Sequence, residues 1–156
     1  MEQKIKLDPF SYGGWDVATT LVQIATAVGT RKVAVIPDGY FILELGERRA
    51  HFFLESDRAT EANKRWGEKV QAYLEYTRSG QYAARYGARS LRVLTVTTGE
   101  KRLANLKRAT EQAGGREMFW FSTVEQASEE QVLSAPIWQV GGQEGLQPLV
   151  TGQGLK

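Results

Sequence analysis

The sequence predicts an α/β domain built on a mixed central sheet with flanking helices, and three observations lead there. Short β-branched and aromatic runs at Lys32 to Ile36, Tyr40 to Leu45, Arg49 to Glu55 and Leu91 to Thr97 read as strands. Between and after them, apolar residues recur at helical spacing. The second and third runs are close enough to form a hairpin, whereas the later strand, helix, strand order calls for a right-handed parallel crossover, which makes the sheet mixed. A chain of 156 residues with 42% hydrophobic content buries one good core and not two. We therefore expect a single domain over residues 1–135 and a Gly- and Gln-rich, partly mobile tail over 136–156.

Each element has a local reason. Trp15 to Val28 carries apolar residues at helical spacing and runs into Gly29, so it predicts a first helix. Lys32 to Ile36 is a strand interrupted by Pro37-Asp38-Gly39; Tyr40 to Leu45 resumes, turns at Gly46-Glu47-Arg48 and returns as Arg49 to Glu55. A Thr60 N-cap opens a long helix to about Ser79, with Ala62, Trp66, Val70, Tyr73, Leu74 and Thr77 on or near its buried side. Gly80 to Arg89 mixes arginine and tyrosine without periodicity and reads as an exposed loop. Leu91 to Thr97 is the clearest strand; Glu100 to Ala113 is an amphipathic helix ended by Gly114-Gly115; Glu117 to Ser122 is an aromatic, buried strand. Val124 to Leu133 predicts a last short helix before Pro136.

Composition removes several kinds of chemistry. Without cysteine there is no disulfide framework, thiolate zinc site or cysteine nucleophile, and a single histidine, His51, cannot build a histidine-rich metal site. The start of the chain is charged rather than signal-like and no run of 18 apolar residues exists, so the expectation is a cytoplasmic protein without a membrane partner. The net charge of +2 is unevenly spread. Residues 1–57 hold six Lys/Arg against eight Asp/Glu, residues 58–92 eight against three, and residues 93–156 six against seven. Positive charge thus follows directly on the acidic clusters, an arrangement that draws a polyanion toward a metal-binding rim and is also compatible with a solvated helix face.

Those acidic clusters are Asp38, between two strands, and Glu55 and Asp57 at a strand end. Side chains two apart in a strand share a face, so Glu55 and Asp57 are directed together, and three carboxylates converge if the strands are neighbours. Lys69 follows roughly two and a half turns into the next helix, with Tyr73 and Tyr76 at helical spacing. Two or three carboxylates suit Mg2+ or Mn2+, a lysine orients water or stabilises charge, and Arg58 can clamp a phosphate: together, phosphodiester chemistry. Arg85, Tyr86 and Arg89 carry the usual tools of strand or backbone binding, phosphate pairing and base stacking. Each residue also has an ordinary role: Asp38 in a turn, Ser56 and Asp57 as caps, Lys69 in solvent, the tyrosines in the core. A Gly-rich phosphate loop joining a strand to a helix is absent, which disfavours a doubly wound domain binding a small ligand.

The pattern Pro37-Asp38, a strand ending Glu55-Ser56-Asp57, and a helix bearing Lys69 resembles the PD-(D/E)xK nuclease superfamily. Its restriction-endonuclease-like core runs helix, three strands, helix, strand, and here a further helix, strand and helix would follow. More narrowly, Ile36-Pro37-Asp38-Gly39, Phe53 to Glu61 and Lys69 to Tyr73 look like the nuclease-like part of the replication-relaxation proteins of plasmids and other mobile elements, over about residues 30–125. The resemblance implies that Asp38 and Glu55 bind metal. It implies DNA as partner, a replication or mobilisation protein as a further one, and pairing of two copies, for which the sequence marks no interface. One departure stands out: Asp57 occupies the position of the motif's lysine, which Lys69 would replace from the neighbouring helix. Such proteins commonly carry a winged-helix part ahead of this one; it is not visible here, so the expectation is one domain of a longer protein or a short relative targeted by a partner. The competing expectation is a catalytically silent domain that binds DNA or protein through the basic face of residues 58–92.

Overall fold

The computed structural model describes residues 3–6, 20–26, 28–45, 47–151 and 154–155. In chain order the elements are β1 (Gln3–Lys6), β2 (Thr20–Thr26), β3 (Gly29–Val35), β4 (Gly39–Leu45), β5 (Arg48–Ser56), α1 (Asn63–Arg78), α2 (Gln81–Tyr86), β6 (Arg92–Thr97), α3 (Glu100–Gln112), β7 (Phe119–Thr123), β8 (Gln139–Val140), β9 (Val150–Thr151) and β10 (Gly154–Leu155). Six strands form the central sheet in the order β1-β4-β5-β6-β7-β8. β4 and β5 pair as an antiparallel hairpin, β5, β6 and β7 are parallel, and β8 closes the edge antiparallel to β7. The mixed sheet with flanking helices matches the fold class read from the sequence.

Alternation along the strands sends apolar side chains to both faces, so both faces need cover. On one face Tyr40, Phe53, Val93 and Phe121 pack under α1 and α3 with Trp66, Val70 and Leu106. Trp66 Nε1 donates to Thr110 Oγ1 at 2.8 Å and ties α1 to α3. On the other face Leu43, Phe52, Leu94 and Trp120 are covered by the segment after β7, through Ile137, Trp138, Val140, Leu149 and Val150. The region expected as a tail therefore contributes a second apolar layer, with Trp138 fully buried and its Nε1 donating to Val132 O at 2.9 Å.

Three expectations give way. The described residues of the expected first helix form no helix: Thr20–Thr26 is β2, paired with β3 in a separate hairpin over α1, while Trp15 to Thr19 and Ala27 lie outside the described residues. Leu21, Ile24 and Val28 fit a helical stripe, yet Val22 and Ile24 are buried while Leu21, Gln23 and Ala25 are exposed, the period of a strand. β-Branched Thr20, Val22, Ile24 and Thr26 favour that outcome, and Gly29, at φ +134°, makes the turn. The exposed loop expected over Gly80 to Arg89 holds the short helix α2, bracketed by Gly80 and Gly87 at positive φ and pinned by Tyr82 Oη donating to Ser90 O at 3.0 Å. Val124 to Leu133 makes isolated turns instead of a helix, and Val124 is exposed. The long helix also begins later than Thr60 predicts, at Asn63 after an extended Ala62, for a reason that belongs to the site.

Candidate metal and phosphodiester cleft

At one end of the sheet the chain leaves β3, turns at Pro37-Asp38 and enters β4, beside the end of β5. Asp38 N–H donates to Leu54 O at 2.9 Å, and the backbone N–H of Ser56 donates to Asp38 Oδ2 at 2.8 Å. This exchange locks the Asp38 side chain against the end of β5. Glu55 shares its face with Phe53, so it points beneath α1, where it is 4% exposed. Tyr73 Oη donates to Glu55 Oε1, and Lys69 Nζ stands 3.5 Å from Oε2. Lys69 also reaches Glu61 Oε2 at 3.3 Å and lies 5.3 Å over the Trp66 ring.

Asp38, Glu55 and Lys69 line a cleft of about 620 Å³ whose rim carries Arg31, Lys32 and Arg58. Burial, with a smaller push from the Asp38 carboxylate, raises the Glu55 carboxyl to about 7 against the downward pull of Lys69 and Tyr73. Burial disfavours the Lys69 ammonium, but Glu55 and Glu61 outweigh it and raise its pKa. Burial and the neighbouring Glu55 raise the Tyr73 phenol well above its ordinary range, so it remains a donor. At neutral pH the cleft thus holds a fixed ammonium, a fixed phenol and a carboxyl poised between its two charge states.

Asp57 does not join the other two carboxylates. β5 ends at Ser56, so the two-residue alternation fails there, and Asp57 turns toward α3. Arg102 grips it through Nε to Oδ2 at 2.9 Å and Nη2 to Oδ1 at 3.0 Å, while Thr97 Oγ1 donates to Oδ2 at 2.6 Å. Burial raises the Asp57 carboxyl, but these hydrogen bonds prevail and hold it below the usual range. Arg102 Nη2 also donates to Glu61 O at 2.7 Å, and Ala59 N–H donates to Asp57 Oδ2 at 3.2 Å with Ala59 at φ +62°. These bonds keep residues 57–62 out of the helix, which is why α1 starts late. Among the described residues no group of three or more His, Asp or Glu side chains is arranged to hold a metal ion; of the carboxylates that line the cleft, Asp57 is held by Arg102, Glu61 lies by Lys69 and Glu68 pairs with Arg31, which leaves Asp38 and Glu55 as the candidate pair.

The family model described as replication-relaxation matches residues 13–93, just over half of the chain and the stretch that contains Asp38, Glu55 and Lys69. The chain belongs to the replication-relaxation family. No curated protein and no solved structure matches it.

In this replication-relaxation protein the other expected contact residues separate. Arg58 is exposed at the cleft rim. Arg85 and Tyr86 sit on α2 and Arg89 just beyond it, ahead of β6. Arg92 pairs in register with Phe52 while Val96 pairs with Ser56, so the start of β6 lies four residues, about 13 Å, from the carboxylate end. Tyr86 is half-buried, its ring 4.6 Å from that of Tyr40 at the edge of the core. Sequence reasoning missed Arg31 and Lys32, which reach the rim because the first helix is a hairpin. It missed Arg102 as well, since only the fold brings α3 to the end of β5. Among the described residues no helix is long and apolar enough to cross a membrane.

Proposed function

We propose that the cleft is a divalent-metal-dependent phosphodiester hydrolysis site acting on DNA, in a PD-(D/E)xK-like domain that serves the replication of a plasmid or other mobile element. The observation that carries this reading is the convergence of Asp38 from the turn between β3 and β4, Glu55 from β5 and Lys69 from α1 in one cleft that Arg31, Lys32 and Arg58 also line. Asp38 and Glu55 are the residues that would hold a magnesium or manganese ion. Magnesium takes one or two carboxylates and keeps several waters, and the repulsion that Asp38 exerts on Glu55 is what a cation there would relieve. Such an ion supplies Lewis-acid activation of water and neutralisation of charge on the phosphoryl oxygens.

The chain's own groups do the rest. Tyr73 fixes one oxygen of Glu55, leaving its orientation set before any ligand arrives. Lys69 stays protonated and takes the place of the motif lysine, a position that Asp57 fills here and that Arg102 has drawn into a structural pair. Arg58 and Lys32 receive the phosphates on either side of the scissile bond, while Arg31, paired with Glu68, adds to the local positive charge.

A second reading has a specific observation in its favour: both oxygens of Glu55 already accept hydrogen bonds within the protein. In that reading the same cleft binds DNA, or a replication or mobilisation protein, without cutting. Incubation of supercoiled, linear and branched DNA with the protein in Mg2+ or Mn2+ separates the two. The first reading expects cleavage that Asp38→Ala abolishes while the fold persists. Cleavage unchanged in that variant rules it out, and salt-sensitive binding without cleavage favours the second.

A further inference from the structure

Away from the cleft, the start of β6 carries a concentration of cations that the cleft does not use. Arg92 is half-buried at the sheet end, and its Nη1 is buried with no hydrogen-bond partner among the described residues. Its guanidinium lies 4.7 Å over the Trp120 ring and 6.0 Å over that of Phe52. A guanidinium drawn out of water without an acceptor carries a desolvation cost that an anionic ligand would remove; consistently, burial lowers its pKa.

Arg92 forms the wall between two hollows. One, of about 760 Å³, is lined by Arg89, Arg116 and Gln143 beside Leu91, Met118 and Trp120. The other, of about 350 Å³, is lined by Arg48, Arg49 and His51. Of the arginines, Arg49 pairs with Glu44 at 3.0 Å, and Arg116 donates to the backbone oxygens of Glu111 and Gly115. Glu117 is the acidic side chain of the larger hollow. The surroundings are therefore basic around an unsatisfied planar donor that lies over indole.

We infer that this end of the sheet is a second nucleic-acid contact, in which Arg92 receives a backbone phosphate of a single strand lying across the two hollows. A planar guanidinium backed by an aromatic ring offers forked donors to phosphate and a flat face to a base, and the apolar floor of the larger hollow suits a nucleobase better than an acidic side chain. The choice of ligand rests on the reading of the chain as DNA-acting, but not on hydrolysis in the cleft, which lies at the other end of β5.

The test is fluorescence anisotropy of a labelled oligothymidylate across a salt series, with Arg92→Gln and the exposed Arg89→Gln, plus the indole N–H resonance of Trp120 during titration. Each variant is expected to bind at least about tenfold more weakly, the loss of one charge-assisted contact. The salt slope should fall by about 0.7 for each phosphate contact removed, and the Trp120 resonance should move in the wild type. Should Arg92→Gln unfold, Arg89→Gln and the Trp120 signal decide. Affinity and slope within about twofold of wild type in the folded variants, a stationary Trp120 resonance, absence of oligothymidylate binding, or equal Arg92-dependent binding of polyglutamate would each overturn the inference. Cleavage assays read the cleft separately, so failure of one proposal leaves the other standing.

Discussion

Replacing Arg102 with alanine removes the grip on a carboxylate whose side chain is 4% exposed, from an arginine that is itself 15% exposed. Two charge-assisted contacts to Asp57, at 2.9 and 3.0 Å, vanish together with the 2.7 Å bond to Glu61 O. Thr97 and the Ala59 N–H remain as the only partners shown for a buried charge. Breaking one side of a buried pair typically costs about 3–5 kcal/mol, so we expect a loss of that order. For a domain of this size that corresponds to a fall in Tm of roughly 10 °C. Urea denaturation followed by tryptophan fluorescence measures it, and Asp57→Asn in the Arg102→Ala background should recover part of the loss by removing the stranded charge. Because pairing depresses the Asp57 pKa, its stabilisation is present above the unfolded value near 3.8 and is lost as pH falls through the lower folded value. The gap between wild type and Arg102→Ala should therefore close in acid. A loss below about 1 kcal/mol at pH 7, or no coupling between the two positions in a double-mutant cycle, would refute the assignment of Asp57 to a structural lock.

Further outcomes follow from the same geometry. Glu55 binds its proton more tightly folded than unfolded, so between the unfolded value of 4.5 and about 7 stability should decline with rising pH by roughly 3 kcal/mol; Glu55→Gln should flatten that decline in pH-dependent urea melts. Ala59→Gly relieves a left-handed backbone at φ +62° and should stabilise by about 0.5–1 kcal/mol, read as a shift in urea midpoint at unchanged slope. Trp138→Ala should cost about 3–5 kcal/mol, since the indole fills the second apolar layer; a neutral effect would mean that residues 137–150 are dispensable to the fold.

The legible parts of the molecule were those whose pattern admitted one period. β4, β5, β6, α3 and β7 came through because β-branched alternation and helical spacing did not compete there. Residues 20–28 fit both periods at once, and the choice was made by pairing with β3 across a glycine turn, which no local window contains. Residues 124–133 carry enough apolar positions for a helix, but the layer over Phe52 and Trp120 draws Val132 and Ala135 into irregular turns. The placement of Asp38, Glu55 and Lys69 around one cleft was readable because strand ends and helical spacing fix them locally. Asp57 was misdirected because strand alternation was carried one residue past the end of β5, and its partner Arg102 lies 45 residues away. Arg92 gave no signal in sequence: an arginine at the start of a strand is ordinary until its buried Nη1 is seen without an acceptor.

The proposed chemistry requires that Asp38 and Glu55 act together on a divalent cation. Calorimetric titration of Mg2+ and Mn2+ into the protein at pH 8 and pH 5.5, beside Asp38→Ala and Glu55→Gln variants of matched thermal stability, tests it most directly. Since Glu55 must ionise with a pKa of about 7, binding is expected at pH 8, strongly weakened at pH 5.5, and lost in both variants. Wild-type protein that takes up neither ion at pH 8, or binding that persists undiminished in Asp38→Ala, would contradict it.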